Sequence, residues 1–172
     1  GICQDKASKY SDAVNSLKTA AGIEPNNPLA HSQLGLTYYG GKNYVESERS
    51  LRRAVQLKPD DYFYRYRLGL ALYEQERYGE AMTEAKESIR LKSDYSYAHG
   101  LYGDTLYGAR QYKEAVVEYR ESLRLKPGDA SVHYQLGQSY YGLKDWASAS
   151  VAFRETVKLA PNDYDAWVYL GN

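Results

Sequence analysis

Cysteine is nearly absent. Cys3 is the only one in 172 residues, which excludes an internal disulfide framework and a multi-cysteine metal site. Net charge is absent too, because 22 Lys and Arg balance 22 Asp and Glu. The chain therefore lacks the electrostatic footprint that drives general binding to nucleic acid or anionic lipid. No apolar run approaches the roughly 20 residues needed to span a bilayer, and the N-terminal GICQDKASKY has no signal-peptide core. Neither nucleic acid nor a membrane is an expected partner, and the compartment stays open, leaning cytoplasmic. The chain begins at Gly1 without a Met, which leaves a removed upstream segment open. What remains is a 43% hydrophobic chain, ordinary for a folded protein, with 20 tyrosines to be explained.

A repeat of 34 residues organises the whole chain. Leu34-Gly35, Leu68-Gly69, Tyr102-Gly103, Leu136-Gly137 and Leu170-Gly171 recur with no insertion between them. With residue 28 as position 1, Pro25, Pro59, Pro127 and Pro161 fall at position 32, where Ser93 is the one exception. Position 17 is Tyr10, Tyr44, Tyr78, Tyr112 and Trp146; position 20 is Ala13, Ser47, Ala81, Ala115 and Ala149. The complete repeats are residues 28–61, 62–95, 96–129 and 130–163. They are flanked by partial repeats at 1–27 and at 164–172, the latter a first helix alone. Both ends fall in mid-repeat without a polar cap, so a segment of a longer array is expected.

Residues 130–163 carry Leu136-Gly137-x2-Tyr140, Ala149-x3-Phe153 and Pro161, with His133 where a Trp is usual; Trp167-x2-Leu170-Gly171 restores the Trp. The pattern resembles the tetratricopeptide repeat (TPR) family, and the resemblance covers the entire chain. It implies an all-α fold, a right-handed α-solenoid or superhelix of antiparallel helix pairs. Position 8 Gly lets a neighbouring helix approach, Ala at position 20 and larger residues at 24 and 28 interlock with it, and Pro at 32 stops the second helix. The stretch DDYFYRYRLGLALYEQ (residues 60–75) alternates aromatic and charged residues like a strand, yet the 34-residue phase makes Tyr62 the start of a helix. The basic column Lys18, Arg52, Lys86, Arg120 and Arg154 is read as complementing helix dipoles, with flanking Glu residues neutralising it.

The resemblance further implies that first helices line a concave groove with positions 2, 5, 6, 9, 12 and 13. Here these include Leu29, Ser32, Gln33, Leu36 and Tyr39, then Phe63, Tyr66, Arg67, Leu70, Tyr73 and Glu74, then Tyr97, Leu101, Asp104 and Tyr107, and finally Tyr134, Gln135, Gln138 and Tyr141. Position 12 is tyrosine four times, which is either a recognition ladder or a habit of the family. Phe63, Tyr66, Tyr97 and Tyr134 are expected to face solvent, where large apolar side chains mark binding surfaces. A non-catalytic scaffold binding a protein or peptide segment is the function this implies, with Arg67 available to a carboxylate or carbonyl. The Lys and Asn clamp with which some family members hold chaperone C-termini is missing: its places read Ser32, Leu36, Arg67, Tyr97 and Leu101, and in the later triplet Tyr66, Leu70, Leu101, Ser131 and Gln135.

Two rival functions remain. Trp167 and Leu170 would present an apolar edge for head-to-tail self-association, and the tyrosine ladder could hold a glycan or aromatic small molecule. Catalysis and cofactors are not expected. His31, His99 and His133 all take position 4 on separate helices; Gly100, Gly103 and Gly108 lack the Gly-Lys-Ser/Thr of a phosphate loop; Asp60-Asp61 reads as turn and N-cap. No nucleophile, base and orienting group come together.

Overall fold

Position 1 and position 17 open the helices, as the repeat phase predicts. The computed structural model describes the backbone of residues 2–171 and the side chains of residues 9–171; Cys3 lies outside the residues whose side chains are described. The described residues form ten helices: α1 (Ile2–Ile23), α2 (Pro28–Gly40), α3 (Tyr44–Leu57), α4 (Tyr62–Tyr73), α5 (Tyr78–Leu91), α6 (Ser96–Gly108), α7 (Tyr112–Leu125), α8 (Ala130–Gly142), α9 (Trp146–Leu159) and α10 (Tyr164–Gly171). Within the residue 60–75 stretch, Tyr62–Tyr73 is α4, a helix. α1 runs unbroken through residues 8–9, the position at which each later repeat turns. None of the helices is long and apolar enough to cross a membrane.

The helices fall into two units, Gly1–Leu91 and Lys92–Asn172. In the first, α2 pairs with α3 and α4 with α5, and α1 packs on α2; in the second, α6 pairs with α7 and α8 with α9, and α10 packs on α9. Small residues make these pairs close. Gly35, Gly103 and Gly137, all at position 8, sit against Leu51, Tyr119 and Phe153 at position 24, so tightly that an added Cβ would lie 2.6 to 2.7 Å from the facing side chain. Ala81 and Ala115 at position 20 are fully buried. Ser47, the exception there, is equally buried, and its hydroxyl donates to the Gly35 carbonyl at 2.8 Å. The polar substitution is tolerated because its hydrogen bond is satisfied.

Side-chain acceptors cap some helix starts, whereas Asn43 and Asp129 before α3 and α8 make no such bond. Asn27 accepts from Leu29 N and Ala30 N, and Asp61 from Phe63 N and Tyr64 N. Each turn between paired helices repeats one device. Lys42, Glu76, Arg110 and Lys144, all at position 15, have φ near 60°. In each turn, that residue's N–H and the next one's bond back to the last carbonyls of the first helix, as in Asn43 N to Tyr38 O and Lys42 N to Tyr39 O, both 2.9 Å. This is a Schellman closure made without the glycine that usually provides it.

Candidate functional site

In the first unit Phe63, Tyr66 and Arg67 share one turn of α4, and all three are half-buried, so Phe63 and Tyr66 face solvent less fully than their positions predict. The Phe63 and Tyr66 rings stack at 6.3 Å with 17° between planes. The Arg67 guanidinium lies 4.1 Å from the Phe63 ring centre, a cation–π contact. Its Nη1 also donates to Ser32 Oγ at 2.7 Å, tying α4 to α2. Ser32 is fully buried by this contact and offers a ligand nothing. Leu29, Gln33 and Leu36 remain exposed beside it. Tyr39 donates to Glu74 at 2.9 Å, and burial, reinforced by that carboxylate, pushes its phenol well above the ordinary range.

The second unit places α6 and α8 side by side. Tyr97 is 46% exposed, and Lys126 Nζ donates to its hydroxyl at 2.9 Å while lying 4.6 Å from the ring centre. Hydrogen bonds from Lys126 to Tyr97 and Asp129 hold its ammonium above the usual lysine range. Leu101 is buried and is not part of the surface. Asp104 is half-buried, and it accepts from the Tyr119 hydroxyl at 2.8 Å. Burial pushes its carboxyl up to about 7 against that hydrogen bond. Tyr134 differs from the solvent-facing side chain its position predicts. It is half-buried against Phe153 at 5.7 Å and Tyr169 at 6.1 Å, Gln138 donates to its hydroxyl, and burial pushes its phenol up to about 12. Gln135 is half-buried and Tyr141 exposed.

The four position 12 tyrosines share a structural role. Tyr39 packs on Tyr44, Tyr73 on Tyr78, Tyr107 on Tyr112 and Tyr141 on Trp146, with ring centres 4.8 to 5.7 Å apart. Each therefore braces its own helix pair. Trp167 is 53% exposed, and Leu170 lines a cavity of about 430 Å³ with Tyr141, Trp146, Phe153 and Tyr169.

Position 4 carries a function that sequence reading missed. His31, His99 and His133 each place Nε2 3.0 to 3.1 Å from the position 32 carbonyl of the preceding repeat. Arg65 Nε and Trp167 Nε1 do the same at 3.2 and 3.0 Å. What position 4 requires is a ring or guanidine N–H that reaches back six residues, so His substitutes for Trp. The signal was present in the choice of Trp, His and Arg alone at that position. Among the described residues no three His, Cys, Asp or Glu side chains form a metal site.

His99 alone of the three histidines has acceptors on both nitrogens, since Nδ1 faces Glu118 at 2.8 Å. The Glu118 hydrogen bond, with the Ser93 carbonyl, raises its pKa above 6.5. The folded state thus holds the imidazolium more tightly than the unfolded state does. Its contribution is full below the ordinary histidine pKa and is lost as pH rises through the raised one. Glu118→Gln is expected to lower the His99 midpoint in an NMR titration and to cost on the order of 1–2 kcal/mol at acidic pH, with the cost shrinking once the imidazole is neutral.

Repeated helix pairs with small residues at the crossing points define a helical-hairpin repeat protein. Family models described as TPR repeat and tetratricopeptide repeat match residues 6–40, 46–96 and 103–163 between them, and the chain belongs to the tetratricopeptide repeat family. Solved structures agree on the fold. MamA superposes with a TM-score of 0.81 at 20% identity, over 94% of this chain and 95% of that one. YrrB, described as a TPR protein with an unusual peptide-binding site, gives 0.79 at 17% over 98% and 87%. A thermophilic TPR protein of Thermus thermophilus, TTC0263, gives 0.78 at 17% over 99% and 93%. No curated protein matches the chain.

Proposed function

We propose that the protein is a non-catalytic scaffold that binds a segment of a partner protein on the faces made by its first helices. The observation that carries the reading is the Phe63–Tyr66 stack with Arg67 over Phe63. Rigid rings held in place before binding give contact area at small entropy cost, and anchors of this kind carry most of an interface's energy. In the second unit Tyr97, Gln135, Gln138, Tyr107, Tyr134 and Tyr141 offer hydroxyl and amide groups beside aromatic surface. The description of YrrB as a peptide binder is consistent with this.

Peptide-display selection, run on the natural protein and on a Phe63→Ala/Tyr66→Ala variant of equal helicity, tests the reading. Enriched peptides are expected to bind the variant roughly 30-fold more weakly, which is about 2 kcal/mol. Enrichment indifferent to the two substitutions would remove this face from the proposal. A second reading, self-association through α9 and α10, draws on the exposed Trp146, Tyr164, Trp167 and Val168 and on the 430 Å³ cavity that Trp146 and Leu170 line. Light scattering over a concentration series decides it, since a particle that stays monomeric at high concentration ends the idea.

A further inference from the structure

The first unit also carries a groove whose charge differs from that of its counterparts. Between α1, α2 and α3 lies a groove of about 360 Å³, floored by Leu34 and Tyr38. Lys18 from α1 and Arg49 and Arg53 from α3 line it, against the single carboxylate of Glu46. All four charged side chains are exposed, and none of the three cations forms an ion pair among the described residues. Arg53 is held across the groove by its hydrogen bond to Asn26 Oδ1 at 3.1 Å, and Lys18 lies 5.9 Å from the Tyr38 ring centre. Elsewhere such charges cancel. Arg52 is bound by Glu48 and Glu80, and Arg65 by Glu84. In the second unit one groove sets Arg120 against Glu155, and another sets Arg120 and Arg124 against Glu118 and Glu121. The reason is position 26, which is Glu at 87, 121 and 155 but arginine at 53. The column residue of this repeat, Arg52, is neutralised, but the glutamate that follows it in later repeats is replaced by a second arginine.

We infer that this groove binds an extended acidic segment of a partner protein, with Asp or Glu at alternate positions. Arg49 and Arg53 are four residues apart on one helix face, so their bases stand about 6 Å from each other. In an extended chain, residues i and i+2 lie roughly 6.6 Å apart on the same side, so two alternate carboxylates meet the two guanidinium forks in register. Lys18 meets a third charge from the other wall. A compact single anion would engage one fork and leave the others unused. The local excess is invisible in the overall charge because the rest of the chain compensates it.

The test is fluorescence anisotropy with a labelled peptide alternating Asp with Gly and Ser, over a salt series. The natural protein is expected to bind it saturably, and more weakly as salt rises. The Arg49→Val/Arg53→Glu variant is expected to bind at least about tenfold more weakly. Those substitutions install what Val117, Val151, Glu87, Glu121 and Glu155 already provide at the same repeat positions, so the hairpin is expected to fold. Should circular dichroism show otherwise, Lys18→Gln gives the same readout with a smaller loss. Phe63→Ala/Tyr66→Ala is expected to leave this binding unchanged, which separates it from the peptide face proposed above. Equal binding by the charge variant overturns the inference. So does binding of inorganic phosphate or phosphatidylserine vesicles where the peptide does not bind.

Discussion

Asp104→Asn is expected to be more stable than the natural protein at about pH 8 and to gain little or nothing near pH 4. The Asp104 carboxyl is half-buried and accepts a hydrogen bond from the Tyr119 hydroxyl, and its desolvation raises the pKa to about 7. Unfolded, it ionises with an ordinary aspartate pKa near 3.9. Between these values the folded state binds a proton that the unfolded state has released, so stability falls as pH rises through this window and levels off above it. About three decades in acidity correspond to roughly 4 kcal/mol, and partial hydration of the ionised group brings the expected gain to roughly 2–4 kcal/mol. Asparagine keeps an oxygen to accept the Tyr119 hydroxyl and removes the charge. Urea unfolding of both proteins at a series of pH values measures the difference. A gain that does not grow between pH 4 and pH 7 would refute the assignment of the charge penalty to this residue. His99 lies on the same helix with the same sign of linkage, so the natural second unit loses stability with rising pH for two reasons. The variant isolates one of them.

The helix plan was legible because position along the repeat fixes it. Tyr62 opens α4 although DYFYRYR alternates like a strand, and Ser93 ends its repeat as the prolines do, its carbonyl still accepting from His99. Capping and glycine contacts at position 8 followed the same phase. The turns did not announce themselves, since Lys42, Glu76, Arg110 and Lys144 take a conformation for which glycine is the usual signal. The candidate face was only partly readable. Position in the repeat says which way a Cα–Cβ bond points, and the neighbouring side chain decides what stays exposed. Ser32 is short enough to vanish under Arg67, and Leu101 is buried where Gln33, at the same position, is exposed. Tyr134 leans onto Phe153 and Tyr169 rather than toward solvent. Such outcomes depend on pairs of residues from different helices, which a single position cannot express.

Phe153→Ala is expected to cost about 3–5 kcal/mol. Phe153 is 1% exposed. It stacks on Tyr169 at 4.6 Å with 8° between planes, supports Tyr134, and fills the space that Gly137 leaves open. Truncation removes the apolar burial and leaves a cavity that the glycine has no side chain to enter. Phe153→Leu reproduces the pairing of Leu51 over Gly35 and is expected to lose only about 1–1.5 kcal/mol. The glycine explanation predicts a change of sign. Gly137→Ala in the natural protein drives a Cβ to 2.7 Å from the Phe153 ring and is expected to destabilise by roughly 1–3 kcal/mol. With Phe153→Ala already present, the clash is gone, and the same substitution gains up to about 1 kcal/mol of helix propensity. A double-mutant cycle by urea unfolding, with unchanged denaturant slopes, reads the coupling directly. Additive effects of the two substitutions would mean that Gly137 is not there to admit the ring. A coupling of several kcal/mol would make the contact between positions 8 and 24 the element that sets how closely α8 and α9 pack.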